Sequence, residues 1–300
     1  MAQAWHDRHI GAIGGAVSMS DVDPSSLRAE LLERGFARVP GVLSPDEVGR
    51  LREVTDGLLS EHAARNAAYK AQGSMIPVTK HPALADLVAH PRALGVLARL
   101  GWPRPSFTDG YVISKPGGSP PLFWHYDWFA WEDGAGAGEV PPQLFAMYYL
   151  TDTRRENGCL RVIPGSHRRH NALHDLLVEP HGAALTAAAD LSDPAFSERP
   201  DEEDVPVAAG DLLVGDARLL HAAHANGTAE RRTLITLWYQ PDFAALPERV
   251  QAQLAMQVRR PGEGWPRQAR AKLEALFPSY AGGAEPYPRQ LYRRPEEVAA

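Results

Sequence analysis

The segment Phe123-Trp124-His125-Tyr126-Asp127-Trp128 carries an imidazole and a carboxylate two positions apart. On a β-strand, side chains two apart project to the same side, so His125 and Asp127 aim at one point and supply two legs of a metal site. A third leg must come from elsewhere in the chain. Leu219-Leu220-His221 ends an apolar run, with Asn226-Gly227 and then Arg231-Arg232 following it. If Asn226-Gly227 is a two-residue hairpin turn, His221 and Arg232 stand opposite each other and share a face. Two histidines and one carboxylate make the facial triad that leaves open positions on non-haem Fe(II). His224 is the rival of His221 as third ligand. Arg231 is the rival of Arg232, and strand alternation lets only one of that pair point inward.

A guanidinium behind such a metal can grip the far carboxylate of a dicarboxylate whose near end chelates the ion. That charge-assisted contact is worth about 1.5–3 kcal/mol when partly buried, and 2-oxoglutarate has the right length. Other chemistries lack their residues. The chain has no Walker loop, no His-Glu-x-x-His and no Cys-x-x-Cys. The glycines of Gly134-Ala135-Gly136-Ala137-Gly138 read as a flexible loop, and Gly165-Ser166-His167 lacks the second glycine of a nucleophile elbow.

Composition narrows the setting. The 300 residues carry 31 basic and 37 acidic side chains, a formal charge of -6, which gives no pull towards nucleic acid or an anionic membrane. Its single cysteine, Cys159, excludes an intrachain disulfide and a thiolate cluster and suits a reducing cytoplasm. The apolar stretch from Leu84 to Leu100 is interrupted by Asp86, His90, Pro91 and Arg92, too soon for a membrane span. The expected protein is cytoplasmic, with a small-molecule substrate and no nucleic-acid or membrane partner.

The elements that must position these residues follow from patterning. Residues 1–22 read as a loose tail, not a signal peptide. Residues 23–300 read as a single domain with a helical N-terminal part (23–105), a β core (106–241) and a helical C-terminal extension (242–300). Asp23-Pro24 opens a helix that Gly35 ends, and Ser44 with Glu47 forms a capping box over a helix carrying Val48, Leu51, Val54 and Leu58. A third helical region, from His81 to Leu100, breaks at Pro91. Short strands are expected at Tyr111–Lys115, Leu122–Trp128, Gln143–Leu150, Cys159–Ile163, Asp211–Val214 and Thr233–Gln240, separated by Pro-Gly and Asn-Gly turns. Many short strands with turns between them give a sandwich or barrel. Ala183 to Asp204 reads as a surface insertion, and helical patterns return at Val250, Leu254, Leu273, Leu276 and Phe277.

These residues, taken in order, resemble the phytanoyl-CoA dioxygenase-like branch of the Fe(II)/2-oxoglutarate oxygenases. The matching elements are Trp124-His125-Tyr126-Asp127; Asn157-Gly158 through Pro164-Gly165-Ser166-His167; and Gly210-Asp211-Leu212-Leu213-Val214 leading into His221, Asn226, Thr228 and Arg232. Gly35-Phe36 and Pro40-Gly41-Val42-Leu43 match the family's entry. The resemblance implies a mainly β fold, a double-stranded β-helix (jelly roll, cupin-like) with N-terminal and C-terminal helices packed on one sheet. It also implies iron ligation by His125, Asp127 and His221, since family spacing puts the ligand five residues before Asn226, and a salt bridge from Arg232 to 2-oxoglutarate. In that fold the strands bearing His221 and Arg232 belong to opposing sheets, so the hairpin register is the reading most exposed to correction.

The expected activity is hydroxylation of an unactivated C–H of a small molecule, using Fe(II), 2-oxoglutarate and O2, with ascorbate supportive in vitro. Ala, Gly, Pro and Arg richness points to bacterial specialised metabolism. Asp127 disfavours halogenation, whereas desaturation, epoxidation, rearrangement and hydroxylation of acyl-CoA or amino acids use the same triad. Other classes are a cupin-like Zn or Mn isomerase and a catalytically silent binding protein. Trp131, four beyond Asp127, is similar in spacing to ectoine hydroxylases and is the aromatic placed near substrate; Trp128-Phe129-Ala130 departs from their pattern and argues against ectoine. Trp124, Trp128, Tyr148 and Tyr149 read as core, Arg161 as a solvated strand arginine, Ser166 and His167 as turn stabilisers, and Cys159 as a small packed hydrophobe.

Overall fold

The computed structural model describes residues 23–177 and 181–289; the expected tail at 1–22 lies outside them. Helix α1 (Pro24–Arg34) is capped by Asp23, whose carboxylate accepts from the Ser25 and Ser26 amides, and ends at Gly35 with φ of 90°. Strand β1 (Phe36–Val39) follows. Helix α2 (Pro45–Glu61) starts from the Ser44–Glu47 capping box. The box holds the Glu47 carboxyl down at about 2, chiefly through the Ser44 amide. A short helix α3 (Ala63–Asn66) and strand β2 (Ile76–Pro77) lead to α4 (Leu84–Val88) and α5 (Pro91–Arg99), with the expected break before Pro91.

The strands are β3 (Ser106–Lys115), β4 (Leu122–His125), β5 (Leu144–Tyr149), β6 (Leu160–Val162), β7 (Glu203–Val205), β8 (Leu212–Asp216), β9 (His221–Ala223) and β10 (Arg232–Gln240). They form a six-stranded sheet, β1-β8-β5-β10-β3-β2, and a four-stranded sheet, β4-β9-β6-β7. All named pairings are antiparallel. Two such sheets facing each other are the jelly roll. β1 and β2 come from the stretch expected to be helical, and β1 closes the large sheet's edge against β8.

Alternation assigns the faces. Along β10, Ile235, Leu237 and Tyr239 join the core under α1, α2, α4 and α5, together with Leu273 of the C-terminal helix. Leu234 and Trp238 face the other way, into the space between the sheets with Phe145, Met147 and Tyr149 of β5. Both faces of the large sheet are therefore buried, and its strands read in sequence as near-continuous apolar runs. The helix Glu248–Gln257 packs elsewhere, setting Val250 and Leu254 against Trp128, Phe129 and Phe243 beside the open end of the sandwich.

The insertion expected at 183–204 is more integrated than its composition suggests. It supplies most of β7, and its Ala195 and Phe196 pack in one cluster with Phe123 and Trp124 of β4. Arg161 is correspondingly buried, not solvated. Its guanidinium lies 4.8 Å from the Trp124 ring centroid and 3.2 Å from Glu202. Alternation on β6 points Leu160 and Val162 inward, so residue 161 meets whatever covers the outer face, and here that is the insertion. Among the described residues no helix is long and apolar enough to cross a membrane.

Candidate metal centre and its cavity

β4 and β9 pair so that His125 and His221 are direct cross-strand partners. Their rings sit 4.1 Å apart, centroid to centroid. Each imidazole is oriented in the same way, with Nδ1 2.9 Å from the carbonyl two residues back, Phe123 for His125 and Leu219 for His221. An Nδ1–H donated to that carbonyl leaves Nε2 as a bare lone pair. Burial, the neighbouring His221 and the neighbouring His181 all push His125 well below the usual imidazole range, so it is neutral at pH 7.

Asp127 arrives differently from the expectation. β4 ends at His125, so Asp127 is not on a continuing strand. The amides of Asp127 and Trp128 both donate to the Ala217 carbonyl, at 2.8 and 2.9 Å. That hook turns the Asp127 carboxylate onto the side of His125, as strand alternation would have done. One oxygen stands 3.9 Å from His125 Nε2 and the other 3.9 Å from His221 Nε2. The three ligating atoms lie within 4.8 Å of one another. At 3.9 Å no hydrogen bond joins them, so the gap between two lone pairs and a carboxylate has room for a cation. The donor set, N2O with one negative charge, fits Fe(II). Trp238 Nε1 donates to Asp127 Oδ2 at 2.9 Å and fixes the carboxylate's rotation.

Arg232 opens β10 and pairs with Lys115 of β3, not with His221. The hairpin register predicted around Asn226-Gly227 is thus overturned. Asn226 instead bridges to Ser119 and Asn157, and its side chain binds the Lys115 and Glu230 carbonyls, so the chain crosses from one sheet to the other here. Arg231 lies outward with Ser114, and Arg232 is buried between the sheets. Its Nε has no hydrogen-bond partner, and burial pulls the guanidinium below its ordinary value. Lys115 is buried on the same face, its ammonium donating to the Ala71 and Pro120 carbonyls. Burial, then Arg232, pulls it well down. Sequence patterning missed Lys115; the signal was a lysine ending an apolar strand.

In front of His125 and Asp127 opens a cavity of about 670 Å³. Phe129 and Trp238 wall it near the triad, and Gln143 adds an amide. At the far side Arg259 reaches both oxygens of Asp109 at 3.0 and 3.1 Å and the Tyr111 hydroxyl at 2.8 Å. Burial, then Asp109, pushes Tyr111 up to about 12, which keeps it a protonated donor. His181, from the stretch just before the insertion, packs edge-on to His125 at 4.9 Å. No sequence signal marked it. Of the predicted site residues, His125 and Asp127 line the cavity, whereas His221, Arg232 and Trp131 are not on its wall; Trp131 packs on Tyr126 at 4.9 Å and on His174.

Comparison with known proteins matches residues 31–234 to the family described as phytanoyl-CoA dioxygenase. The chain is 25% identical to an ectoine dioxygenase of Stutzerimonas stutzeri over 86% of this chain and 89% of that one. It is 27% identical to the ectoine dioxygenase of Halomonas elongata, over 76% and 73%. Among solved structures, the epimerase SnoN in complex with Fe3+, α-ketoglutarate and nogalamycin RO aligns with a TM-score of 0.57 at 23% identity, covering 91% of this chain and 96% of that one. HygX from Streptomyces hygroscopicus, with nickel and 2-oxoglutarate bound, aligns at 0.54 and 22% identity, covering 73% and 87%.

Proposed function

The chain belongs to the phytanoyl-CoA dioxygenase family of Fe(II)/2-oxoglutarate-dependent oxygenases, and we propose that it hydroxylates an unactivated C–H of a multi-ring small molecule in bacterial specialised metabolism. His125, Asp127 and His221 would hold the iron, and Arg232 would hold the distal carboxylate of 2-oxoglutarate. The observation that carries this reading is the pairing of a convergent N2O donor set, its atoms within 4.8 Å of one another, with a buried guanidinium whose Nε lacks a partner.

Held there, iron with 2-oxoglutarate and O2 would supply oxidative chemistry that turns the keto acid into succinate and carbon dioxide and puts one oxygen atom into the substrate. The protein's own residues supply orientation and exclusion. The Phe123 and Leu219 carbonyls hold both imidazoles in the Nε2-ligating tautomer. Trp238 holds Asp127 against rotation. Arg232, with Lys115 beside it, stands at one end of the inter-sheet space, and its buried guanidinium would take a dicarboxylate's far end. Phe129 and Trp238 keep water from the reacting carbon.

The cavity supports the substrate class. Small-molecule sites span about 300–1,000 Å³, and 670 Å³ exceeds what a single small ring fills. The relatives' substrate, ectoine, is one such ring; nogalamycin, bound to SnoN, is of the larger kind. The test is succinate formation with Fe(II), ascorbate and 2-oxoglutarate in the presence of ectoine or of nogalamycin RO. Stimulation by nogalamycin RO, absent in His125→Ala, is expected. Stimulation by ectoine alone overturns the substrate class, and iron-independent turnover overturns the oxygenase reading of these residues.

A further inference from the structure

The small sheet has a second cluster of metal-ligating side chains, on the face away from the triad. Cys159 immediately precedes β6, and its carbonyl accepts from the His224 amide at 3.0 Å, so the two are cross-strand neighbours just beyond the β6–β9 ladder. Asp204 lies on β7, on the other side of β6, opposite Arg161. Residue 224 has the opposite parity to 221, which sends its side chain outward where that of His221 goes inward. Three adjacent strands thus bring a thiol, an imidazole and a carboxylate together, and their ligating atoms lie within 4.8 Å of one another. This is the same convergence as at His125, Asp127 and His221.

We propose that Cys159, Asp204 and His224 form a second divalent-cation site, selective for zinc and chemically similar borderline-soft ions. Thiolate, carboxylate and neutral imidazole carry two negative charges, which a divalent ion cancels. The mixed S, N and O set suits Zn(II), whereas the N2O triad has no sulfur to offer. Tetrahedral zinc with bonds of about 2.0–2.3 Å sets its ligand atoms about 3.5 Å apart, so small rotations of three side chains close the site. The fourth position faces out past Asp204, the most exposed of the three, and takes water.

Without metal, His224 Nε2 sits 2.5 Å from Asp204 Oδ1 and Arg155 3.2 Å from Oδ2. Burial, then Asp204, pushes the thiol up to about 12, so it stays protonated. Zinc displaces the thiol proton, the Nε2 proton of His224 is exchanged for one on Nδ1 so that the Nε2 lone pair faces the ion, and Arg155 retains the outer carboxylate oxygen. Binding therefore releases a proton and tightens as pH rises. The ion would pin β7, and through it the 183–204 insertion, to β6 and β9.

The experiment uses the full chain, stripped of metal, with His125→Ala silencing the triad. Titration with Co(II) is expected to give one equivalent per chain and a thiolate-to-cobalt charge-transfer band in the near ultraviolet, lost in His125→Ala/Cys159→Ser. In otherwise wild-type protein, Zn(II) after desalting is expected at two per chain, falling to one in Cys159→Ser and to one in His224→Ala. Should His125→Ala fold poorly by circular dichroism, that stoichiometry still decides. A cobalt spectrum without the thiolate band, or equal zinc content in wild type and Cys159→Ser, overturns the second site. Loss of metal in His125→Ala alone would do so while leaving the triad reading intact.

Discussion

The small sheet carries histidine and aspartate on both faces, and the two clusters differ in what satisfies their polar atoms. On the inner face, backbone carbonyls take Nδ1 of His125 and His221, both Nε2 atoms stand 3.9 Å from Asp127, and a 670 Å³ cavity opens in front. On the outer face, Nε2 of His224 is already on Asp204, Arg155 shares the carboxylate, and the thiol is covered. Residue type is nearly the same; the difference lies in which atoms the local backbone and neighbours have already used. Converging Nε2 lone pairs beside a cavity are what the proposed catalytic reading rests on, whereas on the outer face a cation must first displace contacts that the ligands already make.

That contrast can be broken most directly at the inner cluster. His125→Ala is expected to weaken Fe(II) binding by more than about 100-fold, because losing even an outer partner of a metal ligand costs 10–100-fold; equilibrium dialysis with iron and the rate of succinate formation both read it. Arg232→Gln leaves the metal in place and is expected to raise KM for 2-oxoglutarate about 10–100-fold, the equivalent of about 1.5–3 kcal/mol for a charge-assisted contact. An unchanged KM would remove Arg232 from the site. Trp238→Phe keeps the ring and deletes the donor to Asp127, and a loss of about tenfold in iron affinity is expected.

The smallest effect belongs to the outer cluster, measured in metal-free protein. Asp204→Asn is expected to cost about 1–2 kcal/mol in urea unfolding, since His224 and Arg155 lose an ionised partner. The pH dependence sharpens this. Burial raises the Asp204 carboxyl, but the His224 and Arg155 contacts outweigh it and hold it below its ordinary value. A depressed carboxylate stabilises fully above its unfolded pKa, about 3.9, and that contribution disappears as pH falls through the folded value. Asp204→Asn should therefore flatten the acid side of the stability profile and leave the neutral side parallel to wild type.

The helices before residue 100 were legible because their signals are local: a capping aspartate, a capping box, a glycine stop, a proline break. The strands were legible as short apolar runs, but β1, β2, β7 and β9 were not singled out, being two to four residues long and held by partners distant in sequence. Arg161 was misread for a related reason. Its residue type argues for solvent, and only the insertion folding over the outer face buries it with Trp124 and Glu202. Trp131 had the right spacing but packs on Tyr126, because the chain after Asp127 leaves the strand and turns at Ala217.

What patterning along the chain determined was the His125–Asp127 pair, the candidates His221 or His224 and Arg231 or Arg232, and a sandwich or barrel of short strands, since spacing and alternation are properties of the chain itself; the jelly roll and the choice of His221 and Arg232 came with the family resemblance. Tertiary structure decided the rest. The His221–Arg232 pairing became a crossing between sheets because Asn226 spends its hydrogen bonds on three separate segments. Asp127 reaches the imidazoles through two amides on one carbonyl, and Lys115 stands beside Arg232 through their cross-strand register. These are pairings between groups far apart in the chain, and no local pattern encodes which carbonyl an amide will find.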